Sequence, residues 1–458
     1  PNPPLIWYMS MPVIVLADLV GASITTVFRI VTAFLAGGSM IACYAILNQT
    51  SLTSQKYFIQ MVVFLMALFL FPLAWRDFGQ REYFSLIFIL PYAFMTVARL
   101  EGSKPELLKS IFIGVFASIG IAFKPYMMLI PICIVGYSFF KERTRVLLWG
   151  EYYGMALSAI AYFLLIFLYS PAYISDVVPI VMKFYWGFNV TVWDVAYSHL
   201  IAALGFWALL MGVNRIKMTI FQVIIIIVLG GFLFNLVAQL KGYTYHAYPV
   251  IVTSFILVGS SFFTHKSSFL YKGIRPQFSK ACFILIFVAL LFGEFKNSVR
   301  WTLEAVNEDE MFQTIHRELA EEVDRLAVGG AFTAFTTHPF PNFPTALTVD
   351  AKWVGRSNSH MAIPAIVKSM EQGIEIDKEI ENFAFEQVLN VMQNFTPEVV
   401  MVDRRKFRHA IFESEFDFID YYSQNAEFAK IWTNYQKISS ISGIDFYKHF
   451  TDIEKNSN

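Results

Sequence analysis

From Val27 to Phe292 the chain is largely a succession of long apolar runs: 27–47 (with Arg29 near its start), 57–74, 83–98, 149–168, 220–240, 250–263 and 281–292. Segments apolar on every side are at home in a bilayer, whose hydrocarbon core is spanned by ~20 helical residues. The runs are continuous and do not alternate residue by residue, so they predict helices rather than a β-barrel. Charge agrees: 15% of residues are charged and 56% hydrophobic, against about 25% charged in soluble domains. The formal net charge of zero excludes a broadly basic nucleic-acid binder. Cys43, Cys133 and Cys282 each fall inside an apolar run and form neither a disulfide framework nor a CxxC site.

The expectation is therefore an α-helical polytopic membrane protein of about ten transmembrane helices. A domain spanning 1–294 is followed by a soluble α/β domain, 295–458. The chain opens at Pro1 without a signal peptide or an opening apolar helix, and reads as processed or as beginning inside a longer protein. Ile6 to Val20, interrupted by Pro12 and Asp18, predicts a helix lying at the interface, with Trp7 and Tyr8 at headgroup level.

Two stretches are ambiguous. Ser110 to Phe140 is apolar except at Lys124-Pro125; it reads as two short crossings joined by a tight turn, with one kinked, tilted helix as the alternative. Tyr169 to His199 mixes prolines, Lys183 and the aromatics Phe184, Tyr185, Trp186 and Phe188, and reads as an interfacial loop with a partial helix. A further span is expected over Leu200–Val213. Placing the basic connectors inside gathers Lys56; Arg99, Lys104 and Lys109; Lys141, Arg143 and Arg145; Arg215 and Lys217; and Lys266, Lys272, Arg275 and Lys280 on one face. The chemically rich connections, 75–82, Lys124-Pro125, 169–199 and 241–249, then share the outer face with the C-terminal domain.

Beyond Phe292 the composition changes. Glu304 to Ala327 is acidic with a helical period, and Lys368 to Asn394 also reads as helical. Ala331–Phe335, Glu398–Val402 and Ile444–Tyr447 read as strands.

Four constellations carry chemistry. Asp77, Arg81 and Glu82 lie in a dense charge cluster between two apolar runs. Continuing the helix would bring Asp77 and Arg81 together at i,i+4. Asp77 and Glu82 are the candidate catalytic acids. A carboxylate there suits a general base, and Asp77 is the candidate ligand for a divalent metal ion. Arg81 suits a phosphate; a solvated structural ion pair is the plain alternative. Lys124 is costly at membrane depth unless it snorkels or meets an anion. Lys241, Tyr243, Tyr245 and His246 crowd a cation, two phenols and an imidazole at one helix end. Interfacial tyrosines are ordinary, but they leave Lys241 and His246 unexplained. His338 to Pro344, with Trp353, Arg356 and His360, reads equally as a loop closing over a site or as a docking loop. No P-loop, GxGxxG, HExxH or GxSxG motif is present, so an activated donor used outside must be a lipid.

In that order the motifs resemble the GT-C class of integral-membrane glycosyltransferases, which includes protein O-mannosyltransferases and the lipid A aminoarabinose transferase. Pro3-Pro4-Leu5 with Trp7 and Tyr8, then Gly21 and Arg29, Asp77 in Asp-Phe-Gly-Gln-Arg-Glu, Lys124-Pro125, and the tyrosine-rich entry Tyr243–Pro249 carry the likeness over about 1–290. The resemblance implies transfer, with inversion, from a polyprenyl-phosphate-linked sugar donor to a glycan, lipid or protein acceptor at the outer face of a bacterial inner membrane. It also implies that the principal catalytic acid lies in a loop before Pro1, that Asp77 is the second acid, near the donor phosphate, and that Arg81, Lys124, Lys241 and His246 stabilise the leaving phosphate. Apart from that metal no cofactor is expected. Partners are the lipid donor, the acceptor and membrane lipids. The rival readings are a transporter or lipid-linked-sugar flippase, and an envelope scaffold.

Overall fold

The computed structural model describes residues 3–55, 57–191, 195, 203–205, 207–208, 218–263 and 276–450. Two compact units emerge, Pro1–Tyr173 with Val190–Thr302, and Ile174–Asn189 with Leu303–Asn458.

The first unit is helical. Among the described residues, Ile24–Leu47, Arg81–Leu100, Gly150–Tyr169 and Ile220–Gln239 are long and apolar enough to cross a membrane, and Leu5–Val20, Phe58–Leu70 and Leu107–Ala122 are shorter apolar helices. Leu129–Glu142, Thr244–Ser261 and the start of Pro276–Leu326 complete the described set. The polytopic α-helical class expected from the apolar runs is the class found. The span expected over Leu200–Val213, and the connectors with Lys56, with Arg215 and Lys217, and with Lys266, Lys272 and Arg275, lie outside the described residues or largely so.

Arg81–Leu100 is the central helix: 89% of its most apolar stretch is buried, against Ile24–Leu47, Leu107–Ala122, Leu129–Glu142, Ile220–Gln239 and Thr244–Ser261. Gly150–Tyr169 is the opposite case, with 11% of its most apolar stretch buried. It bares Leu157, Ile160, Phe163 and Phe167, a face that only lipid tolerates.

Lys124-Pro125 breaks 110–140 into two helices. The proline forces its predecessor out of the helical region: Lys124 is extended (φ −146°, ψ 117°), a 3-10 turn follows over Pro125–Met128, and a second helix starts at Leu129. At the far end, Arg99 forks onto Glu151 through Nε (2.7 Å) and Nη2 (2.8 Å) and reaches Ser110 Oγ (2.9 Å). There the helices Leu107–Ala122 and Gly150–Tyr169 touch backbone to backbone, at Gly114 and Gly154.

The second unit is an α/β/α sandwich around a five-stranded sheet, ordered β2-β1-β3-β5-β4. The strands are β1 (Ala331–Phe335), β2 (Lys352–Trp353), β3 (Val399–Asp403), β4 (Tyr435–Ile441) and β5 (Ile444–His449). β1 pairs in parallel with β2 and β3, and β5 runs antiparallel to β3 and β4. Alternation sorts the core: Phe332, Ala334, Val399 and Met401 meet Leu319, Val323 and Leu326 of the long helix. Phe335, Val400 and Val402 face the helices Ile363–Gln372 and Lys378–Phe395.

Ile174–Asn189, expected as an interfacial loop, joins this second unit. Lys183 pairs with Glu379 (2.5 Å), Phe184 stacks on Phe383, and Lys368 donates to the Asn189 carbonyl (2.6 Å). The two compact units divide after Thr302, within the helix Pro276–Leu326. The helix expected over 368–394 is two helices, broken at Gly373.

Candidate functional site

Four helix ends gather around one ammonium group. Arg81–Leu100 and Thr244–Ser261 begin there; Leu107–Ala122 and Ile220–Gln239 end there. Lys124 Nζ is paired with Glu82 Oε1, donates to Gln239 Oε1 (2.6 Å), and lies 3.1 Å from His246 Nε2. His246 Nε2 and Glu82 Oε1 are 3.2 Å apart, bridged by that ammonium. All four residues are buried.

Lysine has three N–H donors and no acceptor. Glu82, Gln239 and His246 offer three acceptors, so the ammonium is fully used and His246 Nε2 must accept. The imidazole proton then sits on Nδ1. Among the described residues, His246 Nδ1 and Glu82 Oε2 are buried without a hydrogen-bond partner. Such an atom costs about 1–3 kcal/mol unless something meets it. One donor and one acceptor are thus left buried and unpaired beside a satisfied cation.

Asp77 ends a 3-10 turn (Trp75–Asp77) and Arg81 opens the next helix. Between them Gly79 has φ +77°, and a Cβ there would lie 2.6 Å from the Phe28 ring. The continued helix that would pair Asp77 with Arg81 at i,i+4 is therefore not formed; the chain must turn to admit Phe28. Arg81 and Lys241 lie within electrostatic reach of His246, and Asp77 within reach of Tyr248. The rings of Tyr243 and Tyr245 stack (5.3 Å) and both stand edge-on to His246, at 5.5 and 4.5 Å.

The three stretches singled out around positions 77–82, 124 and 241–246 thus converge. Gln239 was missed, as was Asn235, whose Oδ1 accepts from Gln239 Nε2 (2.8 Å). The signal was there: two amides four residues apart in an otherwise apolar run share a helix face. Tyr83 and Tyr248 were also missed as fasteners. They stack on each other and donate to the Leu70 and Phe69 carbonyls, at 2.8 and 2.6 Å. Pro4-Leu5 and Tyr8 are tied elsewhere, Leu5 N to Tyr162 Oη (3.2 Å) and Tyr8 Oη to Ser170 Oγ (2.8 Å).

Around Lys124 the donor set does not fit a divalent ion. Glu82 Oε1 is committed to Lys124, and the neighbours Arg81 and Lys241 are cations. No group of three or more His, Cys, Asp or Glu suited to a metal occurs among the described residues.

No protein-family model matches the sequence, and no curated protein matches it. The fold is similar to the crystal structure of ArnT from Cupriavidus metallidurans bound to undecaprenyl phosphate. The TM-score is 0.51 at 10% identity, over 99% of this chain and 88% of that one. At that identity the likeness shows the fold, and it is the GT-C-type fold that the ordered motifs led us to expect.

Proposed function

We propose that the chain is an inverting membrane glycosyltransferase that moves a sugar from a polyprenyl-phosphate donor to an envelope glycan, lipid or protein, at the outer face of a bacterial inner membrane. The observation that carries this reading is the convergence of Glu82, Lys124, Gln239 and His246 at one end of the bundle, on a fold shared with a protein crystallised with undecaprenyl phosphate.

In the proposed reaction an acceptor hydroxyl oxygen bonds to the anomeric carbon. The carbon–oxygen bond to phosphate breaks on the opposite side, its electron pair leaves on polyprenyl phosphate, and the hydroxyl proton passes to a carboxylate. Asp77 is the candidate carboxylate of this chain. Arg81 and Lys241 stabilise the phosphate charge, aided by the positive ends of the helices Arg81–Leu100 and Thr244–Ser261. Lys124, with its three protons engaged, positions Glu82 and His246. Tyr243 and Tyr245 fix the imidazole plane. No step is routed through a metal.

The test is polyprenyl-phosphate release by the purified protein in nanodiscs, given polyprenyl-phosphate sugars and an envelope extract. Wild type should release polyprenyl phosphate and label an acceptor, while Asp77→Asn, expressed equally, should do neither. Equal turnover by Asp77→Asn removes it from the chemistry. Movement of the intact lipid across the bilayer without sugar release favours the flippase reading.

A further inference from the structure

The second unit carries a cluster of basic groups that sugar transfer does not use. In the sheet, the connection after β1 leads to β2 on one side, and the next leads back across to β3 on the other. The carboxyl ends of β1 and β3 therefore flank a topological switch point, where open α/β sheets hold ligands. The residues leaving those ends are Thr336, Thr337 and His338 after β1, and Asp403 to His409 after β3.

Their chemistry is rich in cations, although Arg404 also lies 3.9 Å from Asp445 and Lys406 pairs with Glu413 at 3.7 Å. Asp403-Arg404-Arg405-Lys406-Phe407-Arg408-His409 sets three arginines and a lysine against one acid. Both Asp403 oxygens are taken by the Arg405 fork, Nε to Oδ1 at 2.9 Å and Nη2 to Oδ2 at 2.7 Å. Arg405 lies flat on the Phe340 ring (4.7 Å), and among the described residues its Nη1 has no hydrogen-bond partner. Arg404 is paired with Asp417. Arg408 is buried on the carbonyls of Phe416 and Ser414 (2.6 Å each), and its Nε has no partner among the described residues.

The His338 and His409 rings meet edge to face at 5.1 Å. His338 Nδ1 accepts from the Phe340 N–H (3.1 Å), which puts the imidazole proton on Nε2. The loop is held by cost as well as contact. Ala410 (φ 64°) and Phe412 (φ 43°) adopt the left-handed region without being glycine, a strain that folds keep where geometry serves a ligand.

We propose that the loops at this switch point form an anion-binding site, taking a phosphate-type oxyanion among His338, His409 and the Nη1 edge of Arg405. The charges facing His338 are His409, Arg405 and Asp403. Burial, then His409 and Arg405, push its pKa down to about 4, with Asp403 acting the other way. A bound anion reverses that balance. This reading stands apart from the sugar-transfer proposal and is tested without turnover.

The experiment is a pH titration of the full-length protein in detergent, with 13C-labelled histidine, by NMR. His338→Gln and His409→Gln assign the two signals. Inorganic phosphate, against chloride at matched ionic strength, should raise the His338 midpoint by at least roughly one unit, a tenfold preference for the protonated site. Arg405→Leu should abolish that phosphate-induced rise, and His449, at the far end of β5, should not respond. Glucose 1-phosphate and phosphatidic acid in nanodiscs then tell whether a sugar-borne or a lipid-borne phosphate is held; a rise with either supports the site. No rise with any of the three, an undiminished rise in Arg405→Leu, or an equal rise at His449 overturns it.

Discussion

A single ammonium group decides what the membrane-embedded cluster can do. Lys124 satisfies three acceptors with three compact donors, which a planar guanidinium cannot copy. Lys124→Arg should therefore fail to restore the polyprenyl-phosphate release that Lys124→Met loses, expected at 10²-fold or more. Lys124→Met also strands Glu82 as an uncompensated buried charge, worth about 3–5 kcal/mol. Lys124→Met with Glu82→Gln should recover the thermal midpoint without recovering release, which separates folding from function. Lys241→Ala should weaken donor binding, measured by lipid titration in nanodiscs, with the midpoint little changed. In the second unit, His360 is buried between Tyr422 Oη (2.5 Å) and the Ala334 carbonyl (3.1 Å). Burial pushes its pKa down to about 4, below the unfolded value of ~6.5. The folded state thus prefers the neutral ring, so stability is complete above pH ~6.5 and declines as pH falls towards 4, by about 3 kcal/mol. Denaturant unfolding at pH 7 and pH 4 should show this loss, and His360→Gln should flatten it.

Elements were more legible than residues. Uninterrupted apolarity announced most of the described membrane helices, because a segment lipid-facing or buried all round needs no amphipathic signal. β1 was readable to the residue, since an apolar run bounded by Gly329-Gly330 and Thr336 has no other use. β4 was not: Tyr-Gln-Lys-Ile-Ser-Ser-Ile lies on the sheet edge and buries one residue fully, so its apolar period is faint. Its turn was the available clue, with Ser442 and Gly443 both at positive φ (50° and 79°), as two-residue hairpins require. The break between Asp77 and Arg81 escaped because the ring of Phe28, not a local preference, demands Gly79. At the opposite end of the bundle, a Cβ on Gly154 would lie 2.1 Å from the Ile111 carbonyl oxygen, whereas one on Gly136 meets nothing within 4 Å. Gly154→Ala should lower stability by about 1–3 kcal/mol in detergent melts. Gly136→Ala should be neutral or stabilising by about 0.5–1 kcal/mol.

At the scale of the whole molecule, the ordered short motifs predicted the GT-C-type fold that the structural likeness shows at 10% identity. No single motif was specific; their order along the chain was, because the bundle brings distant helix ends together in that order. Sidedness belongs to this scale too. A reporter fused after residue 458 should score outside the cytoplasm; a cytoplasmic signal would invert the proposed topology. With the C-terminus outside, the connection 101–106 between the helices that carry Arg99 and Lys109 should be shielded from an impermeant label.

The partners of Lys124 arrive late: Glu82 precedes it, but Gln239 and His246 are translated more than a hundred positions afterwards. A chain halted near residue 230 therefore leaves the Lys124 ammonium with Glu82 but without Gln239 and His246. Such a chain should be less stable than one that carries both late partners. Pulse-chase lifetimes should lengthen sharply between truncations at 230 and at 262, and Lys124→Met with Glu82→Gln should erase the step.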